Sequence, residues 1–565
     1  MSLVSSIQLA NNALRATQIG LQVVGQNIAN ASTPGYIREE VVLKPAPTQR
    51  IGSVLLGMGV QVAGVIQKVD HFLEQRLRGA GSDRASGETQ EQVFLQLEEM
   101  IGELTDTDLS TSLNNFFSSI SEVLNQPESV STRNLAVLRG RNLTADVQRM
   151  ANRVTELRKA QNDQIVQLAE DVNRLSENVR VLNIQIAETE GGDTTGSDAV
   201  GLRDQRSGAL AQLAELVDVR VDEQPDATVN VFVGGDFLVF GGIARKVEVD
   251  FDTDRGLSVA EVNLVETDSP LATTSGRLAG LVIARDEILG GFHDQLNDFA
   301  RTLAFEFNKL FSSGQGLKGY QSITSEALVD DPAAPLDATG LDFTPVNGSL
   351  QVQVFDRQTG LTETTDIFVK LNGLDDDTTL EDLAAALDAV DGISAEVTPT
   401  RGLAIRSDSS TQEFAFANDT SGVLAALGLA TFFSGTSASG LGINQAVLDN
   451  PALFAASKAG IGAGTGNAVE LAAFLDRPLD GASDSTLDVM YSRLVGGVAE
   501  SASAAAAVAE GFRVFEQSLA GQHLAITGVN LDEEAVRLIT LQRTFQASAR
   551  YISTLSELLE VLVNL

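Results

Sequence analysis

LDEEAVRLITLQRTFQASARYISTLSELLEVL, residues 531–562, repeats its apolar side chains at alternating steps of three and four. The stripe is Leu531, Glu534, Leu538, Leu541, Phe545, Ser548, Ile552, Leu555, Leu559 and Leu562, eight of ten apolar. The other end of the chain does the same with Ile7, Ala10, Leu14, Thr17, Leu21, Val24, Ile28 and Ala31. Such spacing keeps one narrow stripe on one helix face, and that stripe is stable only against another helix. Both ends are therefore expected to pack on helices, which is the design of an assembly part rather than of a catalyst.

A chain of 565 residues exceeds one core and predicts roughly three or four domains. The formal net charge of -37 argues against nucleic acid as a partner, because phosphate binding needs clustered Lys and Arg. The charge is uneven. From Tyr320 to Gly435 there are 4 basic and 19 acidic residues, whereas Met1 to Ala80 holds 7 basic and 4 acidic. The acidic part is read as a solvated outer body that stays soluble by self-repulsion, with calcium binding as the alternative. Cysteine is absent, which excludes disulfides and thiol chemistry. The first residues lack a basic leader region and Ile19 to Ala31 is broken by Gln22, Gly25, Gln26 and Asn27, so the expectation is export without a cleaved leader. No run approaches the roughly 20 apolar residues of a membrane span, and no membrane insertion is expected.

Moving inward, Ser5 or Ser6 is expected to cap a helix ending near Ile28, followed by turn formers from Asn30 to Tyr36. Val41 to Lys68 is expected to be extended. Helices are expected from about Glu88 (Val93, Leu97, Met100, Ile101, Leu104), over Leu109 to Leu124, and over Asn134 to Glu190, whose only glycine is Gly140. The last would be on the order of 80 Å long if unbroken, a length that suits a rod-like domain. Arg203 to Leu216 can return beside it. The period then changes to two at Val217–Val221 and Val229–Val233, returns to helix over Arg277 to Phe311, and changes again at Leu350–Val354 and Ile367–Leu371. Thr378 with Glu381 fits a capping box for a helix over Leu380 to Leu387. Ser434 to Gly442 is taken as a Ser/Gly-rich linker, and Leu487 to Ala520 and Leu531 onward as helices. The expected fold is multidomain α+β, with paired N- and C-terminal coiled-coil helices, a long-helix bundle domain and inserted β-rich outer domains. The expected divisions are 1–70 with 525–565 (terminal tube), 71–319 with 440–524 (mainly helical, β-rich at 217–267) and 320–439 (acidic, mixed). The termini should lie side by side.

No catalytic or metal-binding pattern fits the sequence. His71, His293 and His523 lack an adjacent acidic or metal-ligand pattern. No Gly-Lys pair exists for a phosphate loop, and the glycines at 460, 462, 464 and 466 are read as a flexible turn. Gly435 to Ser439 fails the nucleophile-elbow pattern. Asp375-Asp376-Asp377 lacks the rest of an EF-hand loop and is read as a solvated turn. The glycosylation patterns at Asn142, Asn347 and Asn418 are too short to carry weight. The expectation is no enzyme, no catalytic or metal site and no cofactor.

Asn27-Ile28-Ala29-Asn30-Ala31-Ser32-Thr33-Pro34-Gly35-Tyr36 resembles the N-terminal signature of bacterial flagellar axial proteins. Asn530, Asp532 and Glu533, followed by Gln542 and Arg543 within Leu541 to Arg550, resemble that group's C-terminal signature. Within the group, Gly201 to Arg206, Ser275 to Leu281 and Arg285 to Leu289 look like the hook-associated members at the hook–filament junction. The resemblance implies an extracellular structural part of the flagellum, needed for filament assembly and motility and exported by the type III route. Its terminal helices would nest among identical copies, with the hook protein and a filament-side junction protein as neighbours. It also implies an export chaperone on the C-terminal helix. The assembly contacts would fall on Ile7, Leu14, Leu21, Val24 and Ile28, and on Leu531, Leu538, Leu541, Phe545, Ile552, Leu555, Leu559 and Leu562. A hook or distal rod protein of the same group is the rival, against which the long helix 134–190 argues. An inserted enzyme domain and an adhesive outer domain are readings from other classes.

Overall fold

The structure, a computed structural model, describes residues 3–51, 54–102, 109–191, 196–374, 376–479 and 484–563. α1 (Leu3–Ala29) leads into β1 (Glu39–Pro45), β2 (Gln49–Ile51), β3 (Val54–Leu56) and β4 (Val60–Gln67). The helices α2 (His71–Gly102), α3 (Leu109–Asn125), α4 (Val130–Glu190) and α5 (Val200–Leu216) follow. The strands β5 (Val219–Glu223), β6 (Val229–Val233), β7 (Asp236–Phe240), β8 (Ile243–Ala244), β9 (Val247–Asp254), β10 (Leu257–Leu264) and β11 (Ser269–Pro270) come next. A π-helical turn, Ala284–Ile288, joins α6 (Gly276–Ile283) to α7 (Leu289–Ser312). Beyond it lie β12 (Ser322–Thr324), β13 (Gly348–Asp356), β14 (Thr362–Val369), α8 (Leu380–Asp388), β15 (Ile393–Val397), β16 (Leu403–Ser407) and β17 (Gln412–Ala417). The chain closes with α9 (Val423–Leu427), β18 (Phe433–Ser434), β19 (Gly442–Ile443), α10 (Gln445–Asp449), α11 (Gly466–Ala472), α12 (Leu487–Thr527) and α13 (Leu531–Val563). The fold is thus mixed helix and sheet, with long helices at both ends, as the periodicity predicts.

Two compact units divide these elements: Met1–Val93, Lys159–Arg285 and Ser503–Leu565 form one, Phe94–Arg158 and Asp286–Ala502 the other. In the first, α1 packs along α13 and over the antiparallel pair β1–β4. The later half of α4 packs with α5, α6 and two sheets, β5-β6-β7-β8 and β11-β10-β9. Its core holds Ile165, Val172 and Val179 of α4 with Leu213, Val231, Leu238 and Leu264. Each fully buried Val or Leu of this kind contributes about 1.5–3 kcal/mol.

Asparagines tie that helix to its sheets. Asn183 donates Nδ2 to the Val229 carbonyl (2.8 Å) and accepts the Val229 amide on Oδ1 (3.1 Å). Asn173 makes the same pair with Val247, at 2.8 Å each way, and Asn162 accepts the Ala260 amide at 2.6 Å. An amide side chain can satisfy a strand's N–H and C=O together, so these positions help fix the strands' register on the helix.

The second unit is centred on phenylalanine. Phe116, Phe117, Phe307, Phe311, Phe432, Phe433, Phe454 and Phe474 form contiguous ring contacts. Gly140 lies against them: a Cβ there would fall 2.7 Å from Phe432 Cζ, so the lone glycine of the long helix is where a ring abuts its backbone. A mixed part, with sheets β14-β13-β17 and β12-β16-β15 and the helix α8, has its own core of Leu350, Val352, Leu383, Ile405, Phe414 and Phe416.

Several expectations need correction. α1 already begins at Leu3, so neither Ser5 nor Ser6 caps it. α2 begins at His71 rather than near Glu88, because Asp70 caps it (Leu73 amide to Asp70 Oδ1, 3.1 Å) and Leu73 and Ala80 bury against Leu519. The capping box of α8 is Thr379 with Asp382, one residue later than expected. Ser434 to Gly442 is no linker: β18 and β19 pair around it and bury Ala438 and Leu441. Asp377 is not solvated but buried, accepting the Asn372 and Gly373 amides at 2.7 Å each. Leu104 and Asp375 lie outside the described residues.

Candidate assembly site at the paired ends

The stripe on α13 is its least exposed face. Of residues 531–561, those not fully exposed are Glu534, Leu538, Leu541, Ser548, Ile552, Leu555 and Leu559, all stripe positions. Leu555 is buried, Leu538, Leu541, Ile552 and Leu559 are half-buried, and Leu531 and Phe545 are exposed. The Leu562 side chain lies outside the described residues. On α1, Ala10 and Val24 are buried, and Ile7, Leu14, Leu21 and Ile28 half-buried. Gly20 allows the close approach, since a Cβ there would stand 3.2 Å from Leu541 Cδ1.

The two signatures meet in a buried polar latch. Glu534, a charge on an apolar stripe, has no exposed surface. Arg38 donates Nε (2.9 Å) and Nη2 (2.7 Å) to its Oε1, and Asn27 Nδ2 donates to its Oε2 at 3.3 Å. Asn27 is 1% exposed and fully committed. Its Nδ2 also donates to the Glu39 carbonyl (3.0 Å), while its Oδ1 accepts the Glu39 amide (3.0 Å) and the Tyr36 hydroxyl (2.9 Å). The Arg38 amide donates to the Thr527 carbonyl at 2.9 Å. Asn530 Oδ1 caps α13 by accepting the Asp532 amide at 3.0 Å. Burial and the Glu39 carboxylate push the Tyr36 phenol above its usual range, so it stays a donor. Burial likewise raises the Glu39 carboxyl. A buried carboxylate without partners costs several kcal/mol; here residues about 500 positions apart supply them.

Of the signature residues, Asn27, Tyr36 and Asn530 serve the latch and its cap. Asn30 is half-buried and donates to the Gln26 carbonyl (3.1 Å). Gly35 takes a left-handed turn (φ 77°) beside the exposed Pro34. Asp532, Glu533, Gln542 and Arg543 are exposed; Glu533 reaches Arg38 Nη2 at 3.4 Å. The sequence reading missed Arg38 and Glu39. The available signal was Glu534 itself, since a charge on a packing stripe demands a buried cation. Beside the latch, an apolar groove of about 290 Å³ runs between α1, β1 and α13, lined by Ala16, Gly20, Val41, Leu43, Val536 and Leu541.

The histidines are less isolated than expected. His71 lies 3.7 Å from Glu223 and His523 lies 4.0 Å from Glu74, while His293 stands 3.6 Å from Asp294. Among the described residues no group of three His, Asp or Glu is placed to hold a metal ion, and no helix is long and apolar enough to cross a membrane.

Three family models match the chain. Residues 94–324 match the flagellar hook-associated protein FlgK helical domain, 520–565 the C-terminal model of the flagellar basal body rod FlgEFG proteins, and 7–36 the flagella basal body rod protein model. Flagellar hook-associated protein 1 of Salmonella typhimurium is 27% identical over 370 residues, covering 62% of this chain and 66% of that protein. Its Bacillus subtilis namesake is 24% identical over 342 residues, covering 54% and 66%. The chain thus spans about two thirds of the length of these relatives. The solved flagellar hook junction protein FlgK from Burkholderia pseudomallei shares the fold, with a TM-score of 0.53 at 14% identity, over 80% of this chain and 100% of that one. Paired end helices, each matching a rod-protein model, define a component of the bacterial flagellum. With its helical domain matched as well, the chain is similar to the flagellar hook-associated protein 1 relatives over about two thirds of their length.

Proposed function

We propose that this chain is a structural layer of the hook–filament junction, outside the cell, where it joins hook to filament and permits filament assembly and motility. The observation that carries the reading is the latch: it locks the first and last helices into one module that only a complete chain can form. The stripe residues of α1 and α13 supply the packing. Val536, Ile539, Leu558 and Val561 of α13 remain exposed, as do Leu43 and Val536 beside the groove, and these face neighbouring copies. Charge supports copies meeting there. Residues 1–80 carry 7 basic and 4 acidic residues and 525–565 carry 3 and 5, so this part is near neutral in a chain of net charge -37; like-charged surfaces elsewhere repel.

In this account 1–70 with 525–565 forms the terminal tube part, 71–319 with 440–524 a mainly helical part, and 320–439 an acidic, mixed part. The hook protein lies on one side, a filament-side junction protein on the other, and a chaperone covers α13 before export. A hook or distal rod protein is favoured by the two end models, but the match over 94–324 is to the hook-associated helical domain. Deleting the gene tests the function: hooks without filaments are expected, and normal filaments would refute it.

A further inference from the structure

β4 pairs with a strand on one side only, in its two-stranded sheet with β1. The backbone groups of Val65 and Gln67 point the other way, toward residues 196–198 between α4 and α5. The Asp198 amide donates to the Val65 carbonyl (2.9 Å), the Val65 amide to Ser197 Oγ (3.1 Å) and the Gln67 amide to Asp198 Oδ2 (2.8 Å). The Gln67 side chain also donates to Asp204 Oδ1 at 2.6 Å. Residues 196–198 are not themselves a strand. One amide and two side-chain oxygens therefore do for this edge what a third strand would do. The close approach uses two glycines: a Cβ on Gly64 would overlap the Gly196 carbonyl, and one on Gly196 (φ 62°) would fall 2.8 Å from the Ala63 carbonyl oxygen.

The other sheets show why this edge needs a cover. An open edge is a template for another chain, and charged side chains are a common guard against it. The longer edge strands β1, β5, β9, β14, β15 and β17 each carry an acid, such as Glu40, Asp222, Asp250, Asp366, Glu396 and Glu413. β4, Val60-Gln61-Val62-Ala63-Gly64-Val65-Ile66-Gln67, carries no charge and no proline, and its Val60 and Ile66 are exposed. An uncharged run rich in β-branched residues is the composition that pairs with its own kind. In a chain of net charge -37, it is also an edge at which two copies meet without strand-to-strand repulsion.

We propose that residues 196–198 are an autoinhibitory cap, occupying the β4 edge that would otherwise pair antiparallel with β4 of a second copy. The side chains of Ser197 and Asp198 close the edge, and the facing glycines let them reach it. The cap acts on the free chain, so it goes beyond the assembly reading above and does not depend on it. While it is closed, strand addition at β4 is blocked and copies are left to meet through other surfaces.

The test is the oligomeric state of the purified full-length chain, read by light scattering, with hydrogen exchange on a peptide covering residues 60–67. Two changes open the cap by different routes. Ser197→Ala with Asp198→Ala removes the accepting oxygens, and Gly64→Val pushes the segment off while leaving both oxygens in place. Each should speed exchange of that peptide at high dilution. At higher concentration each should raise the mass about twofold, as a two-fold pairing of edges does, with the circular dichroism of the chain nearly unchanged. Adding Ile66→Lys to either should restore the monomer, because like charges on both edges oppose pairing. Variants that stay monomeric at every concentration, unchanged exchange, or oligomers that persist with Ile66→Lys would each overturn the cap. Absence of the unaltered chain from flagella would bear on the assembly reading alone, so the two failures are separable.

Discussion

Replacing Arg38 by methionine leaves the Glu534 carboxylate buried with Asn27 and, at 3.9 Å, the more exposed Arg537 as its remaining partners. Removing one member of a buried ion pair costs about 3–5 kcal/mol. Protonation sets a ceiling: neutralising a carboxyl of ordinary pKa, about 4.3, at pH 7 costs about 3.7 kcal/mol. A loss of about 3 kcal/mol is therefore expected at pH 7. Glu534→Met should cost less, about 1–2 kcal/mol, since Arg38 keeps the exposed Glu533 within 3.4 Å. The double change should cost about 1 kcal/mol more than Glu534→Met alone, giving a coupling of about 2 kcal/mol. Hydrogen exchange of the purified full-length chain, read on peptides covering residues 20–45 and 525–541, measures it. That coupling corresponds to about a 30-fold difference in exchange rate relative to additivity. Additive effects within about 0.5 kcal/mol would show that the two ends are not held by this pair.

Leu541→Asp or Leu555→Asp should abolish incorporation into flagella while leaving the circular dichroism of the chain nearly unchanged, because an unpaired carboxylate on the stripe costs several kcal/mol in every copy; normal incorporation would remove the stripe as the contact. Asn183→Leu strands the Val229 backbone groups and removes one of the acceptors of Arg206, which keeps the Ala227 carbonyl. It should cost the first unit about 2–4 kcal/mol in urea unfolding, and no change would mean the asparagine ties are dispensable. Glu190 is opposed by its own burial, but Arg203 (2.7 and 2.9 Å) and the Ala199 amide (2.8 Å) hold its carboxyl below the usual range. A depressed folded-state pKa means stability present above the ordinary pKa of about 4.5 and lost as pH falls below it. Glu190→Gln should therefore lower stability at pH 7 and flatten the acid limb, and an unchanged acid limb would contradict the assignment.

The parts of the fold legible in the chain were those encoded locally. The stripes of α1, α13 and α4 follow from side chains three and four apart, and the strands 229–233 and 348–356 from a period of two. What stayed hidden depended on distant partners. The start of α2 was obscured by glycines and few apolar residues, and it holds because Leu519 of α12 covers Leu73 and Ala80. Ser434 to Gly442 has a linker's composition yet buries Ala438 and Leu441. The latch was half legible: Asn27, Tyr36 and Asn530 carry recognisable signatures, but nothing local says that Arg38 meets Glu534. The asparagine ties from α4 are equally silent, because an Asn on a helix face looks solvated until a strand is laid on it.

The position of the protein along the flagellum is the most direct test of the central claim. Gold-labelled antibody against this chain, viewed by electron microscopy, should mark one narrow band between hook and filament. Continuous decoration of the hook or the filament would contradict the account.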